Sequence, residues 1–393
     1  MCNKLFLNML LQIKVYLIGV LYLCGAMFMH FYPTRNYEMT GSKIRSVRSI
    51  DSNLLTTKFV DSKMLLNIAE RLTQKAEVAI MKKLSRRTEQ NNSIIALELR
   101  NDKQSNKPGI LVIGGLNPMS WGSPNAILEL AAKLLYDSSY QTPFFSDYDW
   151  YLVPMANPDG MHFTKNLQHL PPVHVEQWSR NLTARTNTRP SVWHKNVDNN
   201  DGACLGTNVN RNFAYHWQDD VSKTPDRCSQ QFPGLRPFVT AEAQALRTYL
   251  HACGDVVRLA VHLQTSYIPK KEYIVYPWRY TLRQQSNYQT LQAIGEYAAR
   301  QSRLPDGRLY EVHQGSNDER VAGTLTDYVS GVVGTELVYL IKPYHPAFPN
   351  MTDRSTRPSY VKKSIAAILG LVRGWRSSTK QNTLSFFGRE VEF

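Results

Sequence analysis

Acidic side chains are scarce in this sequence. Asp and Glu number 32 against 46 Lys and Arg, a formal net charge of +14 over 393 residues. That imbalance favours contact with acidic surfaces such as matrix polysaccharides, anionic lipid or acidic peptides. It does not point to nucleic acid, because the cations are scattered rather than striped and no nucleic-acid-binding motif occurs. Cysteine is sparse too, at five residues, and no pair stands at the C-x-x-C spacing of a metal or redox site. There is no internal repeat, and nothing between Phe59 and Trp375 has the composition of a linker, so this stretch reads as one domain. A third absence is local. The loop "GGLNPMSWGSP", Gly114–Pro124, follows the apolar strand-like run "GILVI". Such a loop is where α/β proteins place their chemistry, yet this one has no His, Cys, Asp or Glu.

What is present bounds the rest. Hydrophobic residues make up 42% and charged residues 20%, ordinary values for a chain with a real core. The uncharged run "VYLIGVLYLCGAMFMHFY", Val15–Tyr32, follows Lys4 and Lys14 and is about as long as a membrane crossing requires. Residues 1–32 read as a signal peptide or a signal anchor, leaving the domain extracellular, either secreted or membrane-anchored. Sequons at Asn91, Asn181 and Asn350 are candidate glycosylation sites in such a compartment. Cys204 and Cys228 flank a short polar loop and are expected to pair there, while Cys253 reads as a buried thiol. Residues 33–58 read as a basic linker or stalk, 59–376 as the folded domain and 377–393 as a peripheral tail.

Along the domain, helical periodicity runs from Asp61 to Leu84, with Asp61 or Ser62 able to cap its start. Strand-like runs are "SIIALELR", "PGILVIGGL", "DWYLVPM", "VVRLAVHLQTS", "YIVYPW" and "TELVYLIK". Helices are expected at "AILELAAKLLY", "TAEAQALRTYLHAC", "NYQTLQAIGEYAARQ" and "SYVKKSIAAILGLVRGW". Strands alternating with helices imply a mostly parallel or mixed sheet covered on both faces.

Several phrases in order, "MANPDGMHFT", "WHKN", "GTNVNRNFAYHW", "LAVHLQTSY", "YPWRYT", "LYEVHQGS" and "GTLTDY", resemble the zinc metallocarboxypeptidases of the carboxypeptidase A/B type. The likeness covers about Phe59 to Trp375. It implies an α/β fold, a twisted mixed eight-stranded sheet with helices on both faces, and a cleft at the carboxyl ends of the central strands. It also implies removal of a C-terminal residue by a zinc ion held by His-x-x-Glu and a distant His, helped by a Glu base and an oxyanion-binding Arg. The inhibitory propeptide of the family has no counterpart between leader and domain.

Mapped residue by residue, the resemblance implies a degenerate member. With Trp121 matched to the family's Trp, the first zinc-binding His is Asn117 and the Glu is Ser120, and no His-x-x-Glu occurs anywhere in the chain. The third ligand is His262, the oxyanion Arg is His194, and the base falls within Leu340–Lys342, where Leu340 is the best match. Glu336 lies too far along the strand to substitute, at about 3.3 Å per residue. The substrate-carboxylate clamp survives as Asn210, Arg211 and Tyr310, although "NRN" also reads as a structural polar turn. Asp327 fits a structural acid, and Thr326 replaces the residue that selects charged side chains, so an uncharged last residue is expected. The stretch 165–192 exceeds the family's link and reads as a surface loop, with partner binding as the alternative.

The chain therefore reads as a carboxypeptidase homologue without peptidase activity, binding peptide C-termini and having no cofactor. One alternative is an active zinc carboxypeptidase with a rebuilt metal site. A second is a structural or adhesive extracellular module that engages acidic surfaces. Membrane contact is expected only through the N-terminal segment.

Overall fold

Eight strands form one sheet in the computed structural model. The structure describes residues 58–100, 107–167, 193–198, 204–219, 226–266, 268, 271–303, 307–345 and 357–387. Residues 1–32, the linker up to residue 57, Asn181, Asn350, residues 168–192 and the last six residues lie outside the described ones.

The strands are β1 (Ala79–Arg87), β2 (Ser93–Leu99), β3 (Gly109–Gly114), β4 (Asp149–Val153), β5 (Val257–Leu263), β6 (Tyr273–Tyr276), β7 (Glu311–Gln314) and β8 (Leu337–Lys342). Their order across the sheet is β1-β2-β4-β3-β5-β8-β6-β7. The central β4, β3, β5 and β8 run parallel, while β1, β2 and the β6–β7 pair bring antiparallel contacts at the two sides. Every residue of "GILVIG" is buried, the pattern of a central strand covered on both faces.

Neighbouring side chains along each strand serve opposite cores. Val112, Val261, Leu263 and Tyr339 face helices α1 (Ser62–Lys75), α2 (Gly122–Tyr136), α5 (Tyr288–Gln301) and α7 (Arg357–Phe387). Leu111, Ile113, Ala260 and Val338 face α4 (Ala241–Cys253) and α6 (Leu325–Gly331). A seventh helix, α3 (Pro158–Leu167), follows β4. Asp61 caps α1 by accepting from the Met64 amide (2.9 Å), and Thr240 caps α4 by accepting from Ala243 (3.1 Å). The mixed eight-stranded sheet and its two helical layers agree with the sequence expectation.

Two boundaries differ from it. Helix α1 stops at Lys75, and residues expected to continue it form β1, paired with β2 from Ala79↔Leu99 onward. The segment "VAIMKKL" suits either period, and sheet pairing plus the cover of α4 decide for the strand. At the other end, α7 passes through the expected boundary at 376 and runs to Phe387. No Pro or Gly interrupts it between Trp375 and Gly388. Among the described residues no helix is long and apolar enough to cross a membrane. Cys204 and Cys228 form a disulfide, and Cys253 is a buried free thiol whose pKa burial pushes up to about 12. Asn91 lies exposed in the turn joining β1 to β2.

Candidate functional site

The parallel strands β3, β5 and β8 end on the same side, and the loops after β3 and β5 and the end of β8 border a cleft of about 250 Å³. The first of these loops, after β3, turns at Gly115, whose φ of +62° and lack of a side chain allow close contact with Met155 and Met161. Trp121 anchors the loop's far end by donating its indole N–H to Pro118 O and Thr164 Oγ1, both at 2.8 Å.

Between these anchors the two replaced positions have structural partners. Ser120 is fully buried, its hydroxyl accepting from the Thr265 amide (3.0 Å) and its carbonyl accepting from Ser123 Oγ (2.7 Å). Asn117 borders the cleft, with Oδ1 accepting from the Met119 amide (2.9 Å) and Nδ2 lying 3.1 Å from His194 Nδ1. Since Oδ1 is the acceptor, Nδ2 donates to His194, and the imidazole proton sits on Nε2. Desolvation first, and the charge of Arg211 second, hold the His194 pKa down to about 4. At neutral pH it therefore presents a neutral ring to the cleft.

His262 and Leu340, the expected positions of the third ligand and the base, lie directly opposite each other on β5 and β8. Leu340 is buried with Tyr273 and Val275, and Glu336 borders a separate surface groove. His262 is 3% exposed, neither ring nitrogen has a hydrogen-bond partner among the described residues, and burial holds its pKa near 3. Among the described residues only Cys204, Asp226 and Cys228 bring three His, Cys, Asp or Glu ligand atoms together, and those sulfurs are in the disulfide. The three residues expected at the zinc position, Asn117, Ser120 and His262, do not fit the ion: an amide engaged with a His, a buried hydroxyl engaged with a backbone amide, and one imidazole.

The carboxylate half is different. A 3₁₀ turn, Val209–Arg211, presents Arg211 to the cleft, where Nη2 lies 3.1 Å from Glu319 Oε1. Asn210 also borders the cleft, and its Oδ1 accepts from the Leu325 amide at the start of α6 (3.2 Å). Its NH₂ side is the part with donors to offer a ligand. Asn212 ties the turn down by donating to Pro233 O (2.7 Å) and Arg236 O (2.8 Å) and accepting from Thr240 N. "NRN" is thus a structural turn and a presented cation at once.

Tyr310 is a correction. It is 3% exposed within the core, its hydroxyl directed to Lys363 O (3.4 Å), and it is not part of the cleft wall. The tyrosine that does line the cleft is Tyr273, opposite Lys342 where β6 runs antiparallel to β8. Thr326 is also outside the wall, buried with its hydroxyl 3.2 Å from that of Thr324. Asp327 is the structural acid expected: its carboxylate accepts from the backbone amides of Arg279 (3.0 Å) and Tyr280 (3.1 Å), and burial raises its pKa to about 7.

Sequence reasoning missed the cleft's far wall. Arg279, in the quoted "YPWRYT", and Lys342, inside the window searched for the base, both line it. So do Gln230, Gln231 and Gln264. Burial, then the nearby Arg279, pushes the Lys342 pKa down to about 8. Among the described residues Arg211, Arg279 and Lys342 face one lining carboxylate, Glu319, beside the apolar Ile268 and Val321. The excess of cations suits the cleft to anions.

With fold and cleft defined, comparison with known proteins places the chain. A family model described as zinc carboxypeptidase matches residues 68–345, and the chain belongs to that family. Carboxypeptidase B of Astacus astacus is 25% identical over 61% of this chain and 71% of its own length. The inactive metallocarboxypeptidase ECM14 of Saccharomyces cerevisiae is 24% identical over 59% of this chain and 50% of its own. A solved carboxypeptidase A from Helicoverpa armigera shares the fold with a TM-score of 0.67 at 19% identity, covering 82% of this chain and 75% of that one. The chain spans between 31% and 71% of the length of three curated relatives it matches.

Proposed function

We propose that this chain holds the C-terminus of a peptide in its cleft without cutting it. The observation carrying this reading is the contrast within one cleft. Arg211 and Asn210 border the cleft on a turn held by hydrogen bonds, while Asn117 and the neutral His194, also in its lining, bring no ionised acid or base. An arriving carboxylate would take the forked donors of Arg211, in place of or beside Glu319, together with the amide N–H of Asn210. Hydrolysis has no equivalent support. No base stands at Leu340, His194 is neutral, and losing a single oxyanion donor alone costs about 2.7–4 kcal/mol of transition-state stabilisation. That a family relative is itself named inactive is compatible with this reading. Residues 1–32 as signal or anchor would place the cleft outside the cytoplasm, where Asn91 is available for glycosylation.

The test compares a labelled peptide with a free C-terminus against its amidated twin, on wild type and on Arg211→Ala. The expected result is that Arg211→Ala weakens the free peptide about tenfold or more, while the already weak amidated one does not change. Equal binding of both peptides would contradict the proposal. So would chelator-sensitive release of the last residue, which would mark an active enzyme. Binding that tracks only heparin and salt would instead favour an adhesive basic surface.

A further inference from the structure

We infer that the peptide end taken by this cleft is acidic, its last residue being Asp or Glu. The inference rests on the reading above, that the cleft holds a peptide C-terminus. It replaces the expectation of an uncharged last residue, which depended on Thr326, a residue that does not line the cleft.

Charge count comes first. A peptide's main-chain carboxylate accounts for one cation, Arg211. Glu319 lies beside that same residue, at 3.1 Å. Arg279 and Lys342 remain on the far wall, and among the described residues no other carboxylate lines the cleft. A lysine- or arginine-ended peptide would bring like charge toward them, and an apolar end would leave both cations without an acceptor. A second carboxylate, carried by the last side chain, matches both.

Arg279 is built for the purpose. Its backbone amide is fixed by both oxygens of Asp327, so that carboxylate holds the main chain rather than pairing with the guanidinium. Its stem lies against Gly315, where any side chain would come within 2.6 Å of Arg279 Cγ. The residue is 7% exposed, and its guanidinium has no hydrogen-bond or ion-pair partner among the described residues; Nε is buried and unpartnered. A buried cation without an acceptor is costly, and a bidentate carboxylate is the partner its geometry suits. Lys342 projects over the ring of Tyr273, 5.8 Å from its centroid, and likewise has no carboxylate within ion-pair distance among the described residues. Amide donors of Gln264 and Gln230 border the same space.

The test uses one labelled hexapeptide in four versions, bound to the full-length chain: ending in Glu, Gln or Lys with a free carboxylate, and in Glu with an amidated main-chain terminus. The expected order is Glu over Gln by about tenfold, with Lys weakest. Arg279→Gln and Lys342→Gln should each shrink the Glu-over-Gln preference, the Glu peptide weakening several-fold more than the Gln peptide. That difference, with an unaltered thermal midpoint, separates lost selectivity from misfolding. Equal binding of the Glu and Gln peptides to wild type overturns the acidic preference and leaves C-terminus binding standing. Equal binding of the free and amidated Glu peptides overturns the underlying reading, and the inference with it. If a heparin fragment removes the Glu-over-Gln preference and binds the far-wall variants more weakly, the two cations serve a polyanion, and the inference fails.

Discussion

Ser120, expected from the resemblance at a metal-binding position, has a structural task for its buried hydroxyl. By accepting from the Thr265 amide it joins the loop after β3 to the loop after β5. Ser120→Ala would leave a buried backbone donor unpaired, so a loss of about 1–3 kcal/mol is expected in urea unfolding. A change under about 0.3 kcal/mol would show that the bond contributes nothing. At this scale the sequence was readable where identity alone decides chemistry: Asn117, Ser120 and Leu340 bring no acid or base wherever they point. It was not readable where direction decides. Tyr310 sits just ahead of β7 and turns into the core against α7, which a motif match over a gapped loop does not reveal. Arg279 was in plain view, but only the tertiary positions of Gly315 and Asp327 aim it toward the cleft.

Among the elements, α4 carries a group that the fold handles at a cost. Glu242, in its first turn, is fully buried, accepts from Asn196 Nδ2 (3.0 Å), and leaves Oε1 unpartnered. Facing it are Asp198 from the same loop as Asn196 and, more distantly, Asp159 on α3. Burial first, then Asp198, raises the Glu242 pKa from 4.5 to about 8, and burial raises that of Asp198 to about 6. The folded state therefore keeps protons that the unfolded state releases. Stability is highest below the unfolded pKa and falls as pH rises from about 4.5 towards 8, by at most about 1.4 kcal/mol per pH unit from this group. Urea unfolding between pH 5 and 8 should show that decline, and Glu242→Gln should flatten it. An equal slope in the variant would contradict the account. Element types were mostly legible from periodicity, because the central strands are continuous apolar runs. The end of α1 was not, since "VAIMKKL" satisfies both periods and only its pairing with β2 chooses.

For the whole molecule, topology places the cleft before any side chain is considered. The parallel strands β3, β5 and β8 end together, and any chain with this order brings its loops to that side. Family resemblance made the location and the fold legible, down to the strand number. The far wall was not legible, because β6 returns antiparallel and brings Tyr273 beside Lys342 from distant parts of the chain. What the fold then offers is a cationic pocket, with hydrogen-bonded Asn117 and Ser120 and apolar Leu340 at the positions where hydrolytic groups were expected. The central claim is that this frame has no metal chemistry. Zinc content of the full-length chain, purified without chelator beside His262→Ala, tests it most directly. The account predicts substoichiometric zinc that is the same in both proteins. Close to one zinc per chain, lost in the variant, would contradict it.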